Sequence, residues 1–259
     1  NLLKIKPYKK MKIIKADNYQ TWYIEENNQA LLIDPWLSNK LKPDKSFFIQ
    51  REKENVIYIS NDQIKKVKAI IITAPFDDHL HLESIEKLSS KLPIYTSKIV
   101  KKILSKRNVK NPIYLLDKKG TEICSIKVKS LPTSYPYFSS TFSIIFEDKK
   151  SKRIFHEGHI VNFNYIKHHN IKADVAILTA EEVKLFGVIT LGMDYKETLK
   201  ACNILSATNL FITGSNPGNT KGFISKFLRI KPLKNNELSK KLNLYHKAGA
   251  TLDLNNSFD

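Results

Sequence analysis

The sequence predicts an α/β fold in which two β-sheets are sandwiched between helices, an α+β sandwich of four layers. Two blocks of short strand-like segments occur, and each is followed by units in which strands alternate with helices. No stretch rich in glycine, serine and proline separates the two blocks. We therefore expect one domain over residues 1–259, with a core at 11–228 and a helical extension at 229–259.

The first block leads into alternating strands and helices. Asn27 and Asn28 mark a hairpin turn, and a long polar connection over residues 36–64 has few periodic features. The segment at 69–73 is apolar throughout, as expected for a strand buried on both faces. The expected strands lie at 11–15, 21–25, 30–34, 69–73 and 94–96, and the expected helices at 81–92 and 97–106.

The second block is again rich in strands before helices join them. The densest basic run, residues 149–153, separates two strand-like segments, and we interpret it as a hairpin turn. A polar turn at 214–219 is expected to lead into short helices that continue to the end. The expected strands lie at 113–115, 122–128, 141–146, 153–156, 175–178 and 210–213, and the expected helices at 163–169 and 195–206.

The composition is that of a folded globular protein. Hydrophobic residues make up 42% and aromatic residues 10% of the chain, which argues against general disorder. No apolar run approaches the roughly 20 residues that span a bilayer, and we expect a soluble intracellular protein. Cys124 and Cys202 stand alone, so the sequence predicts two reduced, buried thiols and neither a disulfide framework nor a zinc finger.

The chain is strongly basic. It has 43 Lys and Arg against 25 Asp and Glu, a net charge of +18. Such a charge is typical of proteins that bind nucleic acid or an anionic membrane, and equally of lysines spread over solvated faces. No basic run alternates with aromatic residues as a face for single-stranded nucleic acid would. We favour spread lysines, with a polyanionic partner such as nucleic acid as the alternative.

Acidic and imidazole side chains are concentrated after the apolar strand at 69–73. Asp77, Asp78, His79 and His81 fall within five positions, between that strand and a helical pattern. Carboxylate and imidazole groups on such a loop are suited to metal binding or to acid–base chemistry.

This region resembles the αββα metallo-β-lactamase superfamily. That family carries the metal motif H-x-H-x-D-H after a buried strand that ends in Thr. Here Ala74 and Phe76 fall where the first two histidines belong, while Asp78 and His79 match the final D-H. Residues 31–37 are similar to the family's early hydrophobic-Asp-Pro strand end, and residues 172–178 to the strand before its late ligand loop.

A sublineage of photosynthetic lineages and their plastids is still more similar. It also lacks the first two histidines, and it has a D-D-H-x-H stretch and an E-P-H-G segment, which residues 155–159 resemble in altered form. This resemblance implies a plastid-type compartment.

The resemblance implies a degenerate metal centre. The first of two metal positions is lost with Ala74 and Phe76, and the loop at 131–136 offers no imidazole. The second position is implied to hold at most one divalent metal, with zinc first and manganese or iron as alternatives, or none. Asp78 and His79 are its implied catalytic pair, and Asn216 in the last loop offers only an amide oxygen. The candidate metal ligands are Asp78, His79, His81, Glu157 and His159.

Each candidate also has a structural interpretation. Asp77 or Asp78 could cap the helix that follows, and His79 and His81 could pack the loop against Glu157. His156 is expected in the core. The histidine pair at 168–169 suits the negative end of a helix dipole. The glycine-containing turn at 214–222 matches no phosphate-loop spacing.

Two functions from different classes follow. The first is a hydrolase that cleaves an ester, amide or phosphoester in a small-molecule or anionic substrate, with the net charge favouring an anionic one. The second is a catalytically inactive pseudoenzyme whose fold serves as a binding scaffold for an anionic ligand or nucleic acid.

Overall fold

The computed structural model describes residues 10–38, 40–41, 50–53, 56–214 and 220–254. Its elements alternate along the chain much as the sequence predicts. In the first half they are β1 (Lys12–Lys15), β2 (Trp22–Glu26), β3 (Gln29–Ile33), β4 (Lys40–Leu41), β5 (Gln50–Glu52), α1 (Asn61–Lys66), β6 (Val67–Ile72), α2 (Leu82–Glu86), β7 (Ile94–Thr96), α3 (Lys98–Lys106), β8 (Ile113–Leu115), β9 (Thr121–Ile123) and β10 (Ile126–Leu131).

In the second half the elements are β11 (Ser143–Glu147), β12 (Arg153–His156), α4 (Phe163–His168), β13 (Val175–Leu178), β14 (Glu182–Leu185), β15 (Ile189–Gly192), α5 (Tyr195–Leu205), β16 (Asn209–Ile212), β17 (Thr220–Lys221), a 3₁₀ helix (Ile224–Phe227), β18 (Leu228–Lys231), α6 (Asn235–Ser239), β19 (Asn243–Tyr245) and β20 (Thr251–Asp253).

Two seven-stranded sheets form the centre. The first has the order β20-β1-β2-β3-β6-β7-β8, and the second has the order β19-β16-β13-β12-β11-β10-β9. Two three-stranded sheets, β15-β14-β18 and β17-β5-β4, are added to them. The α/β sandwich predicted from the sequence is thus confirmed.

Three hydrophobic clusters show the layers. One lies between the sheets and includes Trp22, Phe146 and Phe211, all fully buried. A second joins the outer face of the second sheet to α4 and α5, and a third joins the outer face of the first sheet to α2 and α3. Each sheet therefore buries both faces, which explains why its central strands are apolar at consecutive positions.

Parallel strands in each sheet end side by side. β3 pairs in parallel with β6, with Ile33 beside Ile71, so Asp34 and Thr73 follow at the same edge. β12 pairs in parallel with β13 in the second sheet, with His156 beside Ile177. The polar residues that follow these strands consequently lie close together across the two sheets.

Side-chain caps set most helix starts. Ser60 and Asp194 form capping boxes at α1 and α5, and Ser97 and Asn162 cap α3 and α4. The basic run at 149–153 is a turn between antiparallel β11 and β12, as predicted. There the Asp148 carboxylate accepts hydrogen bonds from two backbone N–H groups.

Three local expectations differ from the structure. The helix predicted at 81–92 is shorter, Leu82–Glu86. In the predicted helical extension, 229–259, the described residues form one five-residue helix and parts of three strands, because neighbouring strands supply hydrogen bonds that local sequence does not reveal. Cys202 is buried, but Cys124 is only partly so; both thiols are free. No helix within the described ranges is long and apolar enough to cross a membrane.

Candidate functional site

A buried aspartate–histidine pair lies at the edge of the first sheet. Asp34 follows β3 with a φ of 45°, a left-handed conformation that aspartate tolerates better than most residues. Its carboxylate accepts hydrogen bonds from the backbone N–H of Thr73 at 2.8 Å and from the Thr73 hydroxyl at 2.5 Å. Nδ1 of His79 lies 2.7 Å from the same carboxylate. This contact places a proton on Nδ1 and, in a neutral ring, leaves the Nε2 lone pair for chemistry.

Asp78 anchors the loop to the first strands. Its carboxylate accepts a hydrogen bond from the Tyr19 hydroxyl at 2.9 Å, and its backbone carbonyl accepts one from the Gln20 amide at 2.6 Å. Both Asp78 and His79 are buried, at 8% and 5% exposure, so the loop is a fixed part of the wall.

His81 caps helix α2. Its Nδ1 accepts a hydrogen bond from the backbone N–H of Ser84 at 3.2 Å and contacts the Ser84 hydroxyl at 2.7 Å. Burial lowers the pKa of His81, which favours the neutral ring that this cap requires. The structural interpretation that assigned the cap to Asp77 or Asp78 is therefore wrong. His81 packs near Trp36, with ring centroids 6.2 Å apart.

The second sheet contributes Glu157 and His156. Both are buried, and His156 closes strand β12 in the core, as predicted. Burial raises the pKa of Glu157 to about 8, against a smaller opposing effect of Thr179. Neither carboxylate oxygen has a hydrogen bond of regular geometry. Burial also lowers the pKa of His156 to about 4, which favours its neutral imidazole.

Gly158 permits the tight turn after Glu157. A Cβ at this position would lie 2.5 Å from the Phe142 carbonyl oxygen and 2.5 Å from a methyl of Thr133. Only glycine fits this approach, and it leaves the next residue, His159, with a φ of 76°.

An aromatic cluster surrounds His159. Its ring stacks on Tyr137 with centroids 4.3 Å apart and lies 4.6 Å from the His79 ring and 5.5 Å from the Phe76 ring. Phe76 stands where the resemblance places a histidine, and its ring lies 6.2 Å from that of His79. An aromatic side chain that cannot ligate a metal thus lies beside His79.

Several of these groups line one cavity of about 490 Å³. Its polar wall includes Asp78, His79, Glu157 and His159, which come from both sheets. The three-stranded sheet β15-β14-β18 and the 3₁₀ helix supply an apolar wall that comprises Val183, Leu191, Ile224, Leu228 and Ile230. A pocket of this size, with apolar lining and a few converging polar groups, is typical of a site for a small organic molecule.

The predicted ligands do not form a recognisable metal centre. In the part of the chain that the structure describes, no group of three or more His, Cys, Asp or Glu side chains could hold a metal ion. Four predicted ligands line the cavity, whereas His81 is not among its lining residues. Asn216 lies outside the described residues. Metal binding stays a prediction.

Comparison with protein families identifies the superfamily of the chain. The profile of the beta-lactamase superfamily domain matches residues 14–211, more than half of the sequence. The chain belongs to the beta-lactamase superfamily. No curated protein matches it. The family resemblance drawn from the motif residues is confirmed, while the predicted plastid-type compartment stays a prediction.

Solved structures share the fold of this superfamily member. A possible metal-dependent hydrolase from Veillonella parvula has 16% identity and a TM-score of 0.70, over 95% of this chain and 100% of that chain. An isothiocyanate hydrolase from Delia radicum gut bacteria has 14% identity and a TM-score of 0.70, over 94% and 99%. The metallo-beta-lactamase fold protein YhfI from Bacillus subtilis has 13% identity and a TM-score of 0.61, over 94% and 99%. At these identities the likeness shows the fold alone.

Several residues of the site were not predicted from the sequence. Asp34 was noticed only as part of a strand end, although it orients His79. Tyr19, Tyr137 and Glu181 also line the cavity, and no motif marks them. Their positions depend on which loops the two sheets bring together.

Proposed function

We propose that this protein is a hydrolase that cleaves a small ester, amide or phosphoester in the cavity between its two sheets. The observation that carries the proposal is the 2.7 Å contact between Asp34 and Nδ1 of His79 at the cavity wall. A carboxylate that holds an imidazole in one tautomer is the arrangement by which enzymes orient a histidine base.

His79 supplies the base in this proposal. Nε2 removes a proton from a water molecule as the water oxygen attacks the carbonyl carbon or phosphorus. Asp34 stabilises the imidazolium that forms, and its own position is fixed by two hydrogen bonds from Thr73. Burial of the carboxylate strengthens this electrostatic contact relative to one in water.

Glu157 supplies the acid. Because burial raises its pKa to about 8, the carboxyl keeps its proton at neutral pH. A carboxylic acid in this state can donate a proton to the leaving group as the bond to it breaks. Glu157 and His79 both line the cavity, so one substrate can meet both groups.

The test compares variants of the protein with the unmodified chain on a panel of chromogenic esters, lactones, anilides and phosphoesters. His79→Ala is expected to lower turnover by roughly 10²–10⁴-fold, the usual contribution of a positioned base. His168→Ala is the matched control, since that histidine lies at the end of α4 and is not among the cavity-lining residues. Absence of turnover on the whole panel, with and without added zinc, manganese or iron, contradicts the proposal.

Metal content is measured on the same samples. Stoichiometric metal that disappears in an Asp78→Ala/His79→Ala double variant would establish the one-metal hydrolase predicted from the sequence in place of the metal-free reaction. Turnover that persists in chelator-treated, metal-free protein supports the acid–base assignment.

A binding scaffold is the second candidate. Phe76 favours it, because this ring, which cannot ligate a metal, packs against His79, His159 and Tyr137. The scaffold predicts ligand binding in the cavity that His79→Ala leaves unchanged, together with no turnover of the bound molecule.

A further inference from the structure

The cavity differs in charge from the rest of the molecule. The chain as a whole carries +18, yet no Lys or Arg is found among the cavity-lining residues in the described ranges. Four carboxyl groups line the same space: Asp77, Asp78, Glu157 and Glu181. Because 43 of the 259 residues are Lys or Arg, a wall of this size without one is not what random placement would give.

Lys15 interacts with an acidic residue of this wall but does not line the cavity. Lys15 interacts electrostatically with Glu181, but its ammonium group is fully buried and donates a hydrogen bond to the Ile212 carbonyl. It is not among the lining residues. A ligand inside the cavity would therefore be in direct contact with carboxyl groups, whereas Lys15 could act on it only by longer-range electrostatics.

Glu157 contributes a buried carboxyl to the cavity wall. The residue is 2% exposed, and although Thr179 interacts with it, neither carboxylate oxygen has a hydrogen bond of regular geometry. Buried polar oxygens are nearly always satisfied in folded proteins, and an unsatisfied one carries a free-energy penalty. A donor group on a ligand would remove this penalty.

Aromatic rings line the same cavity as the carboxyl groups. Tyr19, Phe76 and Tyr137 line the cavity, and Phe76 is 36% exposed. The face of an aromatic ring attracts a cation and does not attract an anion. Carboxyl groups and aromatic rings together form the kind of surface that recognises organic ammonium groups.

We infer that the cavity selects a substrate that carries a cationic ammonium group, with one donor directed at the oxygen of the Glu157 carboxyl that does not carry the acidic proton and its apolar part against the wall of β14, β15 and β18. The inference rests on the proposed function in treating the ligand as a substrate, although a binding measurement alone tests it. It departs from the anionic substrate that the net charge suggested, because the charge that a ligand meets is that of the cavity wall.

The experiment measures binding of three ligands of matched shape by ligand-observed NMR and calorimetry at about pH 8.5. They are 2-phenylethylamine as the ammonium, 2-phenylethanol as the neutral analogue and 3-phenylpropionate as the anion. The ammonium is expected to bind roughly 10-fold or more tightly than the alcohol, the usual effect of a charge-assisted hydrogen bond, and the carboxylate is expected to bind most weakly.

Carboxyl-to-amide variants identify which residues cause the preference for ammonium over alcohol. Glu157→Gln and Glu181→Gln are each expected to reduce the preference for ammonium over alcohol several-fold while leaving alcohol binding nearly unchanged. Glu83→Gln is the matched control, since this exposed carboxylate on α2 pairs with Lys87 and is not among the lining residues. Equal affinities for the ammonium and the alcohol, a preference for the carboxylate, or no ammonium binding at millimolar concentration would each overturn the inference.

A metal ion is the other cation that the wall could attract, and the same experiment separates it. All titrations are done in chelator and repeated with added zinc, manganese or iron. Stoichiometric metal binding that depends on Glu157 and displaces the ammonium would assign the acidic wall to a metal and overturn the inference. Ammonium binding without turnover of ammonium-bearing esters leaves the inference intact and contradicts only the hydrolase.

Discussion

Replacing Glu157 with glutamine should stabilise the protein, and more so as the pH rises. In the folded chain burial raises the pKa of this carboxyl from 4.5 to about 8. The unfolded chain ionises near 4.5, so above that pH it releases a proton that the folded chain retains. The folded state therefore loses stability between about pH 4.5 and pH 8, and the loss levels off above pH 8.

The magnitude follows from the same two values. One pH unit across this window corresponds to about 1.4 kcal/mol. Between pH 5 and pH 8 the single carboxyl should lower the free energy of unfolding by about 3 kcal/mol, which Glu157→Gln removes. His156 acts in the opposite direction, since burial lowers its pKa to about 4 and its stabilising effect is lost as the pH falls below 6.5. The contribution of His156 is present in both the variant and the unmodified protein, so it cancels in the difference between their unfolding free energies.

Urea unfolding followed by circular dichroism measures the free energy of unfolding at pH 5, 6, 7 and 8. The difference in unfolding free energy between Glu157→Gln and the unmodified chain should grow in favour of the variant across the series. Glu83→Gln, which changes an exposed carboxylate, should give a flat difference. A flat difference for Glu157→Gln, or a variant that is less stable at pH 8 than at pH 5 relative to the unmodified chain, would refute the buried protonated carboxyl.

Three further predictions concern other buried groups. Lys53→Ala should lower the free energy of unfolding by about 3–5 kcal/mol, measured by the same urea titration, because it removes the ammonium group that pairs at 3.0 Å with the fully buried Asp17 carboxylate and leaves only the electrostatic interaction with Lys15; a loss below 1 kcal/mol would contradict this. Asp34→Asn should lower turnover by at least roughly 10-fold and shift the pH–rate profile, since His79 loses the charge that orients it; an unchanged profile would show that Asp34 is only structural. Cys202 should react with a thiol reagent only on unfolding, because burial raises its pKa to about 12; rapid modification of the native protein would argue against this.

The fold could be predicted because its strands and most helices are marked locally. Apolar runs such as residues 69–73 identify buried strands, and Ser97 or Asp194 identify helix starts. The C-terminal strands could not be predicted, since β19 and β20 are three residues long and owe their conformation to strands far away in the sequence.

The site could be predicted only in part. The loop with Asp78 and His79 and the turn with Glu157 and His159 stand out by composition, and the structure brings them to one cavity. The partner of His79 did not stand out, because a lone aspartate after a strand is common and its role depends on the parallel pairing of β3 with β6. The cap formed by His81 was also missed, since aspartate is the more usual residue at such a position.

The strands β19 and β20 have a consequence for how copies of this protein behave toward one another. β19 lies at the margin of one large sheet and β20 at the margin of the other, where Asn243, Thr251 and Asp253 face outward. Without them the apolar β16 and β1 would present unpaired backbone groups on both sheets at once. Removal of residues 243–259 should therefore increase self-association strand to strand, even though residues 243–254 are not among the cavity-lining residues.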